Sequence, residues 1–402
     1  MTVHITPGPL SGRVRAVPSK SEAHRLLILS ALAEGPTMVG PVGEAEDVAA
    51  TLGCLSALGA RFTKKAGGLW VQPLGERAPG RVQLYCKESG STLRFLLPVA
   101  GALGVEADFV LGKRLRERPI KPLLRALERG GCNVQWPDPG KIRIVGRLRS
   151  GTYELPGDVS SQFISGMLLA LPLMGGGNLM FPRAPESGAY IGMTCRAMEA
   201  FGGAPRQRGQ GFWVPGTGYK SPGSLSVGGD WSNAAFFLCG GVRVEGLDPE
   251  SAQGDRAVLG LMEEMRAGEL FELDASGVPD LVPPLAALAL IRGATLKVRR
   301  AGRLRLKESD RIGAICRVMR GLGARALEEP EGLTLCPGQG IPGGIVDPEG
   351  DHRMAMMAAI ASVACSGDVV IRDADVVAKS DPAFWQRFRQ AGGRIQILEE
   401  EP

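Results

Sequence analysis

The sequence predicts an α/β protein of two similar lobes, each holding three copies of one structural unit. Three observations lead there. Six helical stretches are apolar on every side and open on a polar tip. Six amphipathic stretches end on a glycine and pass at once into a strand. The two kinds of stretch alternate along the chain at a near-constant period. Residues 18–35 show the first kind most clearly: Ser19, Lys20, Ser21, His24 and Arg25 run directly into Leu26, Leu27, Ile28, Leu29, Ala31, Leu32 and Ala33. A helix apolar all round is buried in a core, not laid on a surface. Its N-terminus offers free backbone N–H groups and the positive end of the helix dipole, which favour an anion. Here lysine, arginine and serine donors sit at that same end.

Five more stretches follow the pattern: KESGSTLRFLLPVAGAL from Lys87, GDVSSQFISGMLLALPL from Gly157, GDWSNAAFFLCGG from Gly229, VPDLVPPLAALALIRG from Val278 and GDHRMAMMAAIASVA from Gly350. Ser, Asp, Asn or Gly near each start supplies N-cap chemistry, so Ser89, Ser91, Asp158, Asp230 and Asp351 are expected as caps. The amphipathic stretches end at Gly59, Gly131, Gly203, Gly268, Gly323 and Gly392, each suited to a left-handed C-cap. The first three of these glycines are 72 residues apart and the later gaps are 65, 55 and 69, which is internal repetition. Each unit thus holds one internal helix, one outer helix and short strands. Residues 221–229, SPGSLSVGG, have linker composition and mark the join. The lobes are then 18–226 and 227–402, and residues 1–17, whose strand could pair with either, are assigned to the second. Six inward helices with polar tips imply a cleft between the lobes lined by donors from both, a common setting for a small-molecule site.

With 402 residues the chain can bury a large core and form two or more domains. A net charge of +5 suits small acidic substrates and lacks the concentrated basic stripe of a nucleic-acid binder. The 8 cysteines show no CxxC pair and no metal spacing, and read as reduced core residues of a cytoplasmic protein. The N-terminus, MTVHITPGPL, has neither an apolar signal core nor an Arg-rich leader, and the apolar helices are too short to span a bilayer.

The polar tips gather Lys20, Ser21, Arg25, Gly90, Ser91, Arg94, Ser160, Ser161, Gln162, Asp280, Asp351, His352 and Arg353. Beside them stand LGKRLRERPIK with Arg118 before Pro119, RLRLKESDR with Lys307, Glu308, Asp310 and Arg311, and VVAKSDPAFW with Lys379. So many cations next to apolar helix starts are costly to desolvate unless an anion or carboxylate answers them. Taken singly, any of them could be a solvated charge or a cap; Arg114 and Arg116 read as surface or hinge charges, and His24 as structural. His352, flanked by Asp351 and Arg353, reads as a site residue. Two carboxylates, Asp280 and Glu308, stand among the cations, where they can be kept ionised or tuned for proton transfer. Glu308 could equally just neutralise Lys307 and Arg311. Phosphate-loop, dinucleotide and nucleophile-elbow motifs are absent. The residues therefore point to chemistry done with protons and fixed positive charge on substrates carrying several anionic groups.

PSKSEAHRLL, ESGSTLRF, LRERPIKPL, GDVSSQFISGMLLA, GDWSNAAF, LKESDR, GDHRMAM and VAKSDPAFW occur in the order found in the EPSP synthase (3-phosphoshikimate 1-carboxyvinyltransferase) family, which the chain resembles from about residue 4 to residue 390. The resemblance implies a two-domain inverse α/β barrel, each domain made of three βαβαββ units. It implies transfer of the enolpyruvyl group of phosphoenolpyruvate to the 5-hydroxyl of shikimate 3-phosphate, a step of aromatic amino acid biosynthesis, by a cytoplasmic monomer whose lobes close on ligand, with no metal or organic cofactor. Carried over residue by residue, Lys20 contacts both substrates. Shikimate 3-phosphate is held by Ser21, Arg25, Ser160, Ser161, Gln162, Ser187, Asp280 and Lys307, with Tyr190 beside it. Phosphoenolpyruvate lies on Gly90, Arg118, Gln162, Arg311, Arg353 and Lys379. Asp280 takes the proton of the 5-hydroxyl, Glu308 helps protonate the methylene carbon, and Arg94 and His352 are further candidates.

Three positions depart from the family pattern. Arg303 stands where some members carry Asn, which leaves a substrate contact there open. The glycine motif reads Glu88-Ser89-Gly90-Ser91-Thr92-Leu93-Arg94 in place of another branch's Asn-Ala-Gly-Thr-Ala-Met-Arg, which leaves sensitivity to the inhibitor glyphosate open. Asp381 stands where tyrosine is common. Two alternatives remain at this stage. A UDP-N-acetylglucosamine 1-carboxyvinyltransferase shares the fold, but it carries a reactive cysteine five residues before the Arg-Pro pair of its loop, where this chain has Lys113. A non-catalytic anion- or RNA-binding module of the same repeat type predicts salt-dependent binding of polyanions and no use for Asp280 or Glu308.

Overall fold

The twelve helical stretches fold as α-helices in a computed structural model that describes residues 1–75, 80–338 and 340–398. In chain order they are α1 (Lys20–Leu32), α2 (Glu46–Ala57), α3 (Gly90–Leu103), α4 (Lys121–Arg129), α5 (Ser161–Ala170), α6 (Gly188–Ala200), α7 (Trp231–Cys239), α8 (Val258–Glu264), α9 (Val282–Arg292), α10 (Arg311–Gly321), α11 (His352–Ala361) and α12 (Phe384–Gln390). The odd-numbered helices are the apolar ones. Residues 23–31 of α1 are buried without a break, and α11 buries all ten of its residues. Without solvent on any face, such a helix has to satisfy its first N–H groups from within. Ser19, Ser89, Ser160, Asp230 and Asp351 do this as N-caps, accepting from the backbone N–H of Glu22, Thr92, Gln162, Asn233 and Arg353. α9 has no side-chain cap; it is entered through the 3-10 turn Pro279–Leu281, and Pro283 and Pro284 in its first turn carry no N–H to satisfy. Two expected caps serve otherwise. Asp158 pairs with Arg183 at 2.6 Å, and the Ser91 hydroxyl accepts from the Gln162 side chain.

The chain divides into two compact units, Pro18–Gly228 and Met1–Val17 with Gly229–Pro402. In the first unit each sheet has four strands. Val82–Lys87 leads through α3 to the parallel Ala107–Leu111, then through α4 to the hairpin Cys132–Asp138 and Lys141–Gly146, whose second strand lies antiparallel to Ala107–Leu111. The same βαβαββ order runs from Gly151–Glu154 through α5, Gly176–Met180 and α6 to Arg206–Gln207 and Gly211–Pro215. The third sheet is completed from far along the chain: Ser224–Ser226 lies parallel to Thr37–Gly40. The Pro/Gly/Ser run expected to be only a linker therefore contributes a strand, because its partner, more than 180 residues earlier, supplies the pairing that its own composition does not signal.

In the second unit Leu270–Asp274, α9, Thr295–Arg299, α10, Arg325–Glu329 and Gly332–Cys336 repeat the same order. Gly344–Val346, α11, Val369–Ile371, α12 and Arg394–Leu398 form another copy, in which Thr2–Thr6 is the fourth strand, antiparallel to both of its neighbours. The remaining copy is shorter. Among the described residues it has two strands, Arg13–Arg15 and Arg243–Glu245, in parallel. The strand that follows Gly268 opens the next sheet in place of a hairpin of its own. A glycine followed by a strand looks the same in sequence in either case. Each unit packs its inner helices into its own apolar core, around Leu27, Phe95 and Phe163 in one and Phe236, Leu285 and Met356 in the other. No described helix is long and apolar enough to cross a membrane.

At Gly166 the inner helices of the first unit meet backbone to backbone. A Cβ there would lie 2.1 Å from the Arg94 carbonyl oxygen and 3.1 Å from the Phe95 Cα. Neither atom can swing away as a side chain end could, so α3 and α5 would have to separate. Gly166→Ala is expected to lower the urea-unfolding free energy by about 1–3 kcal/mol, the usual cost of overpacking a core.

Candidate active site

In the first unit the starts of α1, α3 and α5 are cross-linked by polar side chains. Arg25, one turn into α1 and 2% exposed, donates through Nε to Thr194 Oγ1 at 2.7 Å and through Nη2 to the Tyr190 carbonyl at 3.0 Å and Ser165 Oγ at 3.4 Å. Its Nη1 reaches the Ser21 carbonyl at 2.6 Å, and the guanidinium lies 4.9 Å over the Phe95 ring. All of these acceptors are neutral. Burial accordingly pushes the Arg25 guanidinium down to about 10. Lys20 pairs with Asp47, in the first turn of α2, at 2.9 Å.

At the start of α3, a Cβ on Gly90 would lie 2.8 Å from Arg118 Nη1, so only glycine lets this guanidinium settle onto the helix end. Arg94 donates to Gln162 Oε1 at 2.6 Å and to the Pro119 carbonyl at 2.9 Å, and Gln162 Nε2 donates to Ser91 at 2.9 Å. Arg94 thus ties the 118–119 loop to the start of α5, where Ser160 caps the helix and Ser161 is buried. Glu88 anchors the same loop by accepting from the Leu115 N–H at 2.9 Å, while the Arg114 and Arg116 side chains are exposed. Ser187 is buried and takes a left-handed backbone conformation (φ 54°) at the entry to α6, three residues before Tyr190.

In the second unit the acids and cations meet around Arg311, which is 1% exposed. Its guanidinium contacts Asp351 at 2.7 Å, Asp280 at 2.7 Å and Glu308 at 2.6 Å. Asp280 is further approached by Lys307 at 3.4 Å and Arg353 at 3.7 Å. Burial alone would raise the Asp280 carboxyl, but Arg353, Lys307 and Arg311 outweigh it and hold the group well below the ordinary carboxylate range. Burial lowers Lys307, with Arg311 and Arg303 adding to the effect against Asp280 and Glu308. Arg303, in the turn Gly302–Leu306, is therefore a further positive charge felt by this cluster. Arg353 donates to Ser232 at 2.6 Å and to the Asp280 carbonyl at 3.1 Å, while Lys379 Nζ donates to the Gly350 carbonyl at 2.8 Å, next to the Asp351 cap. His352 is buried, with Nδ1 3.8 Å from Asp351. Among the described residues no group of three or more His, Cys, Asp or Glu side chains is placed to hold a metal ion.

Several residues in these clusters carry no local signal. Asp47, Ser165, Thr194 and Ser232 are single polar groups on other helices, and they matter only through partners far away in sequence. A buried hydroxyl on an otherwise apolar helix face, as at Ser165 and Thr194, is the one hint that was available. His24 has a structural setting: Nδ1 lies 2.7 Å from Thr51 Oγ1, which lies 2.7 Å from Thr92 Oγ1, linking α1, α2 and α3.

Repeats of this kind, carrying two polar clusters, give a fold shared with solved enolpyruvyl transferases. EPSP synthase from Acinetobacter baumannii superposes with a TM-score of 0.81 over 98% of this chain and 100% of its own, at 24% identity. The enolpyruvyl transferase NikO from Streptomyces tendae gives 0.77 over 98% of both chains, at 18% identity. The family is defined by sequence. A family model for EPSP synthase (3-phosphoshikimate 1-carboxyvinyltransferase) matches residues 5–388. The 3-phosphoshikimate 1-carboxyvinyltransferase of Clostridium kluyveri is 35% identical over 98% of both chains, and that of Clostridium beijerinckii is 33% identical over 97% of both. The chain belongs to the EPSP synthase family.

The buried His24 makes one prediction about stability. Desolvation lowers its imidazole from 6.5 to about 3, so it stays neutral in the folded state, whereas the unfolded chain binds a proton there below about 6.5. Its contribution to stability is therefore full above 6.5 and is lost as the pH falls from 6.5 toward 3. Between pH 6 and 5, wild type is expected to lose about 1 kcal/mol more unfolding free energy than His24→Gln, measured by urea titration.

Proposed function

We propose that this protein transfers the enolpyruvyl group of phosphoenolpyruvate to the 5-hydroxyl of shikimate 3-phosphate, releasing phosphate, by addition and elimination through a tetrahedral intermediate. Membership of the EPSP synthase family supports the reaction. The observation that carries the reading is Asp280, a carboxylate within 3.7 Å of Arg311, Lys307 and Arg353, with a second acid, Glu308, on the same Arg311.

In the addition step the 5-oxygen bonds to C2 of phosphoenolpyruvate, its proton passes to Asp280, and Glu308 delivers a proton to the methylene carbon. In the elimination step the bond from C2 to the phosphate oxygen breaks, the phosphate leaves with the proton held on Asp280, and the new methyl group returns a proton to Glu308, restoring the vinyl group. An unliganded Asp280 ringed by cations is a weak base. Phosphate and carboxylate groups arriving at Lys307 and Arg353 offset those cations, and the carboxylate gains basicity as the substrates bind. The cluster therefore links proton transfer to occupancy of the site.

Shikimate 3-phosphate is assigned to Lys20, Ser21, Arg25, Ser160, Ser161, Gln162, Ser187 and Lys307, with Tyr190 alongside. Arg25 supports this best, since a buried guanidinium bonded only to neutral acceptors gains most from an anion. Phosphoenolpyruvate is assigned to Lys20, Gly90, Arg118, Gln162, Arg311, Arg353 and Lys379. The same reading makes the protein a cytoplasmic monomer working without metal or organic cofactor.

Incubating the protein with both substrates and following inorganic phosphate tests the proposal. Release is expected only when phosphoenolpyruvate and shikimate 3-phosphate are both present, and it should persist in a metal chelator. Release driven by UDP-N-acetylglucosamine in place of shikimate 3-phosphate, or no release with either acceptor, overturns it.

A further inference from the structure

Asp381 and Arg387 form a buried ion pair that the reaction scheme above does not use. Asp381 is 0% exposed and Arg387 8%. One carboxylate oxygen of Asp381 meets Arg387 Nη2, and among the described residues Arg387 is the only side-chain partner of that carboxylate. Arg387 is held in turn by a hydrogen bond from Nη1 to the Arg15 carbonyl at 3.0 Å, and its guanidinium lies 4.9 Å over the Phe237 ring of α7. Burial pushes Arg387 down to about 10, with Asp230 opposing. The pair therefore joins α12 to the strand Arg13–Arg15 and to α7.

The other end of the pair leads to Lys379, two residues before Asp381. Lys379 closes the 3-10 turn Ala374–Lys379. The N–H groups of Ser380 and Asp381 both return to the Val377 carbonyl, at 3.1 and 2.8 Å, and Asp381 accepts from the Phe384 N–H at 3.1 Å. Trp385 Nε1 donates to the Ala374 carbonyl at 2.9 Å. The backbone bearing Lys379 is thus closed on itself by short-range bonds, while the Asp381–Arg387 pair fixes it against the rest of the unit. A lysine carries its charge on a long flexible stem, so the point its ammonium reaches depends on where the backbone is held. Binding groups have to be held within about 0.5 Å of their working geometry by supporting contacts.

We propose that Asp381 and Arg387 are positioning residues that hold Lys379 in place for phosphoenolpyruvate. The proposal rests on the reading of Lys379 as a ligand of that substrate. A carboxylate so deeply buried, with a single partner, is costly to keep for stability alone, since a pair of apolar groups of the same volume serves as well or better. A directional bond to a guanidinium that is itself anchored supplies what apolar packing does not, a fixed register for the turn.

Steady-state kinetics of Asp381→Asn and Asp381→Glu, with Lys379→Ala alongside, test it. In Asp381→Asn the KM for phosphoenolpyruvate is expected to rise about tenfold or more, while that for shikimate 3-phosphate stays within about twofold. Asp381→Glu, which keeps the charge, should recover part of the loss. Because an unpaired buried charge can unfold the protein, the double variant Asp381→Leu with Arg387→Met is measured too. It removes both charges at similar volume, and its KM for phosphoenolpyruvate should also rise. An unchanged KM for phosphoenolpyruvate in the folded double variant overturns the positioning role, and so do equal rises for both substrates in either Asp381 variant. If Lys379→Ala itself leaves that KM unchanged, the assignment of Lys379 fails and the positioning role fails with it. If Lys379→Ala raises it and the pair variants do not, only the positioning role fails.

Discussion

Burying the Arg311 guanidinium is the constraint on which the second unit's polar cluster depends. A charge this far from water is tolerated only when carboxylates surround it. Here three carboxylates do so from three elements: the cap of α11, the turn leading into α9 and the segment just before α10. Asp351 does two jobs, accepting from the first turn of its own helix and from Arg311, so the cap that starts α11 also fixes the cation. Ser309 donates to the same carboxylate at 3.1 Å. Asp280 and Glu308 are then held at neighbouring nitrogens of one rigid planar group, which sets their separation and orientation. The fork geometry of arginine is what makes this possible, since a lysine at this position could not address three acids in defined directions.

The first unit solves a different problem with similar parts. Its inner helices also aim polar residues from their first turns, but Arg25 is answered by hydroxyls and carbonyls only. Among the described residues the guanidinium thus has no carboxylate bonded to it, whereas the Arg311 cluster spends its positive charge on its own acids. The contrast follows from the residues beside each helix start. The α1 start offers Lys-Ser-Glu-Ala-His-Arg with one acid, and that acid accepts from the Gly228 N–H at 2.8 Å. The KESDR segment interleaves acids with cations.

The inner helices were legible because burial on all sides leaves a signature that needs no partner: an unbroken apolar run behind a polar tip. Their caps were legible for a local reason too, and Asp158 was misjudged because a nearby serine, Ser160, stands closer to the helix start. The shortened copy between Arg13–Arg15 and α8 could not be told from a full one, since its missing hairpin is replaced in sequence by the next sheet's first strand. Lys307, Glu308, Asp280 and Arg353 could be named as one charged set, yet their arrangement around a single guanidinium depends on three loops meeting, and no periodicity encodes that. Asp47, Thr194 and Arg387 were invisible for the same reason: each acts on a residue that its own neighbours do not point to.

The proposed proton transfer rests on Asp280, a carboxylate held by three cations. Replacing it with asparagine keeps the shape and leaves hydrogen-bonding capacity, while removing the base. Shikimate 3-phosphate affinity measured by calorimetry, set beside the single-turnover rate of the same Asp280→Asn protein, separates the two roles. The account predicts affinity within about fivefold of wild type and a rate lower by about 100-fold or more. Parallel losses of similar size in both would contradict it, making Asp280 a binding group and leaving the proton transfer to be carried elsewhere.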